Sequence, residues 1–176
     1  MSRIFGRIQQ NGYVVRDIHA AMDHWINVMG VGPWFHIEEI RYDWYHHRGQ
    51  PSPLRATVAI AMCGDMQMEL TQPLNDAPSL YKDFFDAGLE GLHHIAFGTT
   101  TFEETRARAL AMGYSIGHEG CVGGPGGHFC FLDTGPEWPG TVIELSETGD
   151  YKKGVFEKLK AEAAAWDGSN PIRKLG

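Results

Sequence analysis

Met68-Glu69-Leu70-Thr71 and Ile143-Glu144-Leu145-Ser146 share one pattern, an apolar residue followed by glutamate, leucine and a hydroxyl, and the same order of elements leads up to each. Ahead of the first, residues 7–15 alternate as a strand does. Asp17 then stands as an N-cap before Ile18, Ala21, Met22 and Trp25 at helical spacing, and Gly30 closes that helix. Residues 34–47 are aromatic and β-prone, Gln50-Pro51-Ser52-Pro53 breaks them, residues 54–62 form a second apolar run, and Gly64-Asp65 turns the chain into the strand that carries Glu69. Ahead of the second, residues 93–98 read as a strand. Thr101 with Glu104 reads as the capping box of a helix that Gly113 ends, and residues 114–122, 128–133 and 141–146 give three more strands. Those strands are separated by the glycine run 123–127 and by a Gly/Pro turn at 134–140.

Each half is therefore strand, helix, then three strands, and a repeat of supersecondary units is the first thing to test for in any sequence. The interval from Gln10 to Glu69 is longer by nine than the interval from His94 to Glu144, and residues 44–53 are the natural place for that insertion. The expectation is an α+β chain of two tandem βαβββ modules. They would pair into a curved, incompletely closed β-barrel-like cleft, with boundaries at 1–88, 89–148 and a C-terminal helix and tail at 149–176. The tail helix should run from about residue 151 to 166, with the last ten residues loose.

The chain has 176 residues with a formal charge of -7, enough to bury a core without a disulfide or structural metal. An acidic balance with no Lys/Arg cluster argues against a nucleic-acid or anionic-membrane surface. No apolar stretch approaches a membrane span and no signal-peptide core opens the chain, which reads as cytoplasmic. Cys63, Cys121 and Cys130 form no C-x-x-C pair and read as buried or strand-borne thiols, with a Cys121–Cys130 bridge across the glycine run as the alternative.

In each half the first strand holds a polar residue and the last a glutamate: Gln10 with Glu69, and His94 with Glu144. Side chains alternate along a strand, so the apolar neighbours of each glutamate face away from it. Pairing of the halves about a pseudo-twofold axis would bring all four groups into one cleft. Carboxylates on otherwise apolar strands need partners, and a shared divalent cation would satisfy both. Each residue also has a plainer reading: solvent-facing strand glutamates, a core histidine, and a glutamine bonded to backbone, with Gln9 as the register alternative to Gln10. His93 points away from His94 and reads as packing or solvent-facing. The aromatics of the second-strand region, Trp34, Tyr42 and Trp44 among them, suit the wall of a pocket for an apolar or aromatic substrate, and equally core or dimer packing.

On Gln10-Asn11-Gly12-Tyr13-Val14-Val15-Arg16-Asp17, a helix with Trp25, Gly91-Leu92-His93-His94-Ile95-Ala96-Phe97 and the two Glu-Leu strands, the sequence resembles the vicinal oxygen chelate superfamily over about residues 5–148. That superfamily includes glyoxalase, methylmalonyl-CoA epimerase, extradiol dioxygenases and bleomycin resistance proteins. The resemblance implies paired βαβββ modules and places metal ligands on Gln10, Glu69, His94 and Glu144; the symmetric pair of glutamates on equivalent strands gives Glu144 the base role first, with Glu69 across the ion acting on the opposite face. Many members have histidine where this chain has Gln10. The set lacks the two-histidine, one-carboxylate triad of the iron dioxygenases, and is instead like that of one glyoxalase group.

One nitrogen and three oxygen donors suit a divalent ion such as Zn, Ni, Co, Mn or Mg. Such an ion polarises a substrate carbonyl and acidifies the neighbouring C–H. The expected function is a glyoxalase- or epimerase-like metal-dependent lyase or isomerase acting on a small-molecule carbonyl substrate, in a homodimer. A non-catalytic small-molecule binding or resistance protein of the same fold is the alternative, and an Fe(II) dioxygenase a third. No glutathione or CoA pattern is evident.

Overall fold

The computed structural model describes residues 1–134 and 142–175. The turn expected at 134–140 therefore lies, apart from Thr134, outside the described residues, as does residue 141. In chain order the elements are β1 (Ile8–Val14), α1 (Ile18–Asn27), β2 (Trp34–Ile37), β3 (Trp44–His47), β4 (Gln50–Pro51), β5 (Ala56–Cys63), β6 (Met66–Pro73), α2 (Leu80–Asp86), β7 (Gly91–Thr99), α3 (Phe102–Ala111), β8 (Ser115–Cys121), β9 (His128–Asp133), β10 (Val142–Glu147), α4 (Asp150–Ala164) and β11 (Ile172–Lys174).

The strands form one open sheet in the order β11-β2-β5-β6-β1-β7-β10-β9-β8-β3-β4. Its centre carries the repeat. β1 runs parallel to β6, β7 runs parallel to β10, and β1 joins β7 antiparallel, so each βαβββ module places its first strand beside its last and the two modules meet along their first strands.

Alternation sorts the side chains onto two faces. On one face of the first module, Ile18 and Met22 of α1 pack on Trp34, Ala59, Ala61, Met68 and Leu70, and Asp17 caps the helix by accepting from the amides of His19 and Ala20. On the corresponding face of the second module, Phe102 and Ala109 of α3 pack on Phe97, Cys130, Leu132 and Leu145. Helix α3 does start after Thr101, but the Thr101 side chain makes no capping bond. Its hydroxyl lies instead among those of Thr99 and Thr105.

The opposite face differs between the modules. In the second it is filled by α2, a helix the periodicity did not suggest and which Ser79 caps by accepting from Lys82 N–H. Leu80 and Tyr81 of α2 pack there with Tyr45, Leu54 and Phe131. In the first module that face stays open and is covered by α4, whose Leu159 is buried against Phe35 and Met62.

Three expectations change. The aromatic run 34–47 divides into β2 and β3, and β3 leaves its own module to pair with β8. The hairpin β3–β4 falls within the stretch by which the first half is longer. The last ten residues are not loose: β11 pairs parallel with β2, with Trp34 N–H donating to the Pro171 carbonyl beside it, so the C-terminal segment is tied back onto the first module. All three cysteines are free, Cys63 exposed and the other two buried. Among the described residues no helix is long and apolar enough to cross a membrane.

Candidate active site

Four consecutive strands at the centre of the sheet, β6, β1, β7 and β10, carry Glu69, Gln10, His94 and Glu144. Register sets all four on one face. Gly12 stands opposite Glu69 on one side and His94 on the other, and Glu144 stands opposite Ala96, two residues along from His94. His94 is fully buried. Its Nε2 lies 3.3 Å from Glu144 Oε2, 3.8 Å from Glu69 Oε1 and 3.3 Å from Gln10 Nε2. The structure thus brings the four candidate ligands together. Gln10 faces the group with its amide nitrogen, so its amide must turn over before Oε1 can act as a donor to an ion.

Gly12 makes this convergence geometrically available, and sequence reasoning passed over it. A Cβ at Gly12 would stand 1.9 Å from His94 Cε1 and 2.0 Å from Nε2, so the imidazole occupies the space a side chain would fill. The available signal was an isolated glycine inside a strand pattern, which marks a close approach to the backbone.

A second layer orients His94. The Nδ1 atoms of His93 and His94 are 3.1 Å apart. His93 packs against Tyr81 and Phe84, and its neutral form is favoured by burial and by His94, against a hydrogen bond to the Leu80 backbone that favours protonation. A backbone group that favours protonation of an imidazole is an accepting carbonyl. The two imidazoles thus meet through their Nδ1 atoms, which turns His94 Nε2 toward the carboxylates.

Burial pushes Glu69 up to about 6; His94 and bonds from Thr71 and Gln10 act against that shift, and Glu144 adds to it. Thr71 Oγ1 donates to Glu69 Oε1 at 3.1 Å. An imidazole and two carboxylates facing one another at these distances need a shared positive charge, which a proton on the imidazole or a bound cation supplies. A divalent ion with bond lengths of about 2 Å fits donor separations of this size, so the residues present suit such an ion. Among the described residues no group of three or more His, Cys, Asp or Glu is already set out as a metal cage. The Gln10 amide and the separation of Glu69 from His94 are what must adjust.

Gln10, Glu69 and Glu144 open into a cavity of about 750 Å³, with the buried His94 behind them, walled by Tyr42, Ile37, Val58, Ile60, Phe129 and Phe131 and roofed by α4. Of the three aromatics expected in the pocket wall only Tyr42 is there, its phenol raised by burial and by the nearby Glu69 and Glu144. Trp34 is 0% exposed on the other face, under α1, because β2 presents Phe35 rather than Trp34 toward α4. Trp44 is 38% exposed and lines a separate shallow groove with Phe102, Arg106 and His128, because β3 has moved to the far edge of the sheet. His47 lies 3.3 Å from Asp83, away from the cavity.

The family model for the glyoxalase/bleomycin resistance protein/dioxygenase superfamily matches residues 9–131, which span the first three of the four candidate ligands. The chain belongs to that superfamily. Among solved structures, it is similar to methylmalonyl-CoA epimerase from Mycobacterium tuberculosis, with a TM-score of 0.60 at 17% identity over 88% of this chain and 95% of that one. A variant of the Streptomyces coelicolor epimerase in complex with 2-nitronate-propionyl-CoA gives 0.54 at 20% identity, over 82% and 95%. A methylmalonyl-CoA epimerase in complex with methylmalonyl-CoA and NH4+ gives the same figures. No curated protein matches the sequence. At such identities the likeness to these superfamily members is one of fold.

Proposed function

We propose that the protein is a metal-dependent isomerase of the epimerase kind, moving a proton at the carbon beside a carbonyl; a glyoxalase-type lyase uses the same proton movement. One observation carries the reading: the two glutamates come from equivalent strands, β6 and β10, and approach His94 from either side of the central strand pair. Inverting a stereocentre takes a proton from one face and returns one to the other, which two opposed carboxylates do and one alone does not. The fold neighbours, methylmalonyl-CoA epimerases in complex with 2-nitronate-propionyl-CoA or methylmalonyl-CoA, support the same class of chemistry.

Gln10, Glu69, His94 and Glu144 are the residues that would hold the ion. Bound there, a divalent cation supplies polarisation of the carbonyl oxygen and so acidifies the adjacent C–H. The chain does the rest. Glu144 takes the proton from one face while Glu69, held by Thr71, protonates the other. Val58, Ile60, Phe129 and Phe131 keep water from the exchanging carbon. His93, through its contact with Nδ1, holds the His94 ring with Nε2 turned inward.

The test is exchange of the α-hydrogen for deuterium, followed by NMR, with protein loaded in turn with Zn, Ni, Co, Mn and Mg. The substrates are a 2-methyl-branched acyl thioester and a hemithioacetal. Exchange that inverts the stereocentre should fall about a hundredfold or more in Glu144→Gln and in Glu69→Gln, each variant keeping only the exchange of the hydrogen on its remaining carboxylate's face. A Glu144→Gln protein that keeps its metal and full turnover removes Glu144 from the base role. No exchange with any ion on either substrate would leave the cavity as a binding site without chemistry.

A further inference from the structure

The chain between β2 and β3 crosses from the first module to the second. Ile40 N–H donates to the Ala56 carbonyl of β5 and Asp43 N–H to the Cys121 carbonyl beside β3. Tyr42 is fixed between these two anchors, its ring centroid 5.2 Å from that of Tyr45 and 6.1 Å from that of Phe129. From the other side α2 holds the Tyr81 ring edge-on to His93 at 5.4 Å and to His118 at 5.0 Å. Both Tyr42 and Tyr81 line the cavity.

The hydroxyls of the phenols gathered here differ in their partners. That of Tyr45 is bonded to His118 Nδ1 at 2.5 Å. Among the described residues, those of Tyr42 and Tyr81 bond to nothing, although Tyr81 is only 5% exposed. A phenol held this deep without an acceptor is destabilising. Packing alone does not call for it, because phenylalanine fills the same kind of space beside it at Phe129 and Phe131. His118 Nε2 is sealed off without a partner, whereas the Tyr81 hydroxyl keeps access to the cavity. The two free hydroxyls are therefore donors aimed at whatever the cavity holds.

Both stay protonated, since burial raises each phenol and Glu69 and Glu144 raise both further. The other charged groups of the cavity wall, Lys152, Lys153 and Glu157, are carried by the roof helix α4. Lys152 is bonded to Ser146 and Lys153 is paired with Asp150. An anion at the phenols would thus face two carboxylates, and a divalent ion shared by those carboxylates would cancel their charge without reversing it. A hydroxyl or amine would bring a further donor to a place that already has two. The group that suits two fixed donors in an apolar wall is an uncharged acceptor oxygen.

We propose that Tyr42 and Tyr81 are specificity-determining residues of this cavity, presenting two O–H donors to uncharged acceptor oxygens, of a ketone, ester or ether, on an otherwise apolar ligand. The inference rests on the reading of the cavity as the substrate site and needs no bound ion.

The test is calorimetry on metal-free and on zinc-loaded protein, with metal content measured in every sample. The probes are acetophenone, the hydrocarbon of similar shape isopropylbenzene, and benzoate. In the Tyr42→Phe/Tyr81→Phe double variant the affinity for acetophenone relative to isopropylbenzene should fall at least about tenfold, with part of that loss in each single variant and the hydrocarbon's affinity unchanged throughout. The infrared carbonyl stretch of bound acetophenone, lowered by donated hydrogen bonds in the wild type, should return in the double variant toward its position in an apolar solvent. Stability separates this role from a structural one. Neither single Phe variant should lower the urea midpoint, because neither hydroxyl has a partner to lose, whereas Tyr45→Phe strips His118 of its bond and should lower the midpoint while leaving the acetophenone ratio alone. An unchanged ratio in the double variant, or a lowered midpoint in either single Phe variant, overturns the assignment. Benzoate binding more tightly than acetophenone, and doing so through the two tyrosines, overturns the choice of an uncharged group. Wild-type protein that takes up none of the probes denies the cavity a ligand, and the donors with it. Failure of the metal-enzyme reading would show separately, as protein that retains no zinc while the metal-free arm still reports on the tyrosines.

Discussion

Replacing Gly12 by alanine tests the geometry of the whole site with one methyl group. The new Cβ would sit 1.9 Å from His94 Cε1 and 2.0 Å from Nε2, where carbon contacts need about 3.5 Å or more, so something must retreat by roughly 1.5 Å. The ring has little freedom: it is fully buried, lies with its centroid 4.7 Å from that of Phe131, and is bonded through Nδ1 to His93. Swinging it off its rotamer costs about 0.5–1.5 kcal/mol, and losing the His93 bond about 1 kcal/mol more. Spreading β1 from β7 instead breaks ladder bonds at the join of the two modules. The first route gives about 1.5–2.5 kcal/mol of destabilisation, within the range that overpacking a core costs. Urea unfolding of metal-free protein should show that loss, and titration with Co²⁺ should show at least a tenfold weaker site. Gly154→Ala is the matched control, because an added Cβ there meets nothing within 4 Å in the middle of α4; it should stabilise by up to about 1 kcal/mol. A Gly12→Ala protein whose stability stays within about 0.5 kcal/mol of wild type, with unchanged Co²⁺ affinity, would show that the embedded ring is not where the argument needs it.

His118 is buried among Tyr45, Tyr81 and Phe131 with its Nε2 unpartnered, and burial holds its pKa well below the ordinary histidine value, with His93, His94 and His47 adding to the effect. The unfolded chain takes a proton there below a pH of about 6.5 and the folded chain does not, so stability is lost by about 1.4 kcal/mol for each unit the pH drops below that point. Urea unfolding from pH 7 to 4.5 should show this increment of slope in the wild type and its absence in His118→Phe, and parallel curves would refute it. Glu69, raised to about 6, stabilises at low pH and loses that contribution as the pH climbs through 6; its opposite slope is common to both proteins and cancels in the comparison. His93→Phe should keep the fold yet bind a divalent ion 10–100-fold more weakly, with partial recovery in His93→Gln. Wild-type affinity in His93→Phe would show that the contact of His93 does not orient His94.

What the sequence made legible was periodic. The two Glu-Leu strands, the alternation around Gln10 and His94 and the cap at Asp17 are local patterns, and local patterns set which face a strand residue takes. From them the row Glu69, Gln10, His94, Glu144 followed once the two modules paired. What stayed hidden depended on contacts between distant segments. Trp34 and Trp44 both sit in an aromatic β-prone run, but which face of β2 meets α1, and whether β3 stays with its module, are decided by partners in the other half of the chain, such as β8 and Pro171. Helix α2 has seven residues and no long apolar period, and it forms because Leu80 and Tyr81 find a half-empty face to fill. The terminal strand β11 has three residues, too few for any pattern, and exists through its pairing with β2.

These hidden parts are also what makes a duplicated fold one-sided. Two equal modules would enclose two equal half-clefts about the row of ligands. Here the added hairpin β3–β4 carries Tyr45 across to β8, where its hydroxyl meets His118 Nδ1, and α2 packs beneath it, so the half-cleft of the second module is plugged by Tyr45, Tyr81, His118 and Phe131. The half-cleft of the first module keeps its space because the chain crosses it late, as α4, tied at one end to β10 and at the other, through β11, to β2. The open space beside the row therefore runs along Val58 and Ile60 and under α4. Two glutamates related by the repeat consequently meet unlike surroundings. Glu69 is bonded to Thr71 on the open side, while Glu144 stands opposite Phe131 at the edge of the plug. A fold built by duplication thereby gains the asymmetry that the proposed pair of proton carriers needs if one is to give while the other takes.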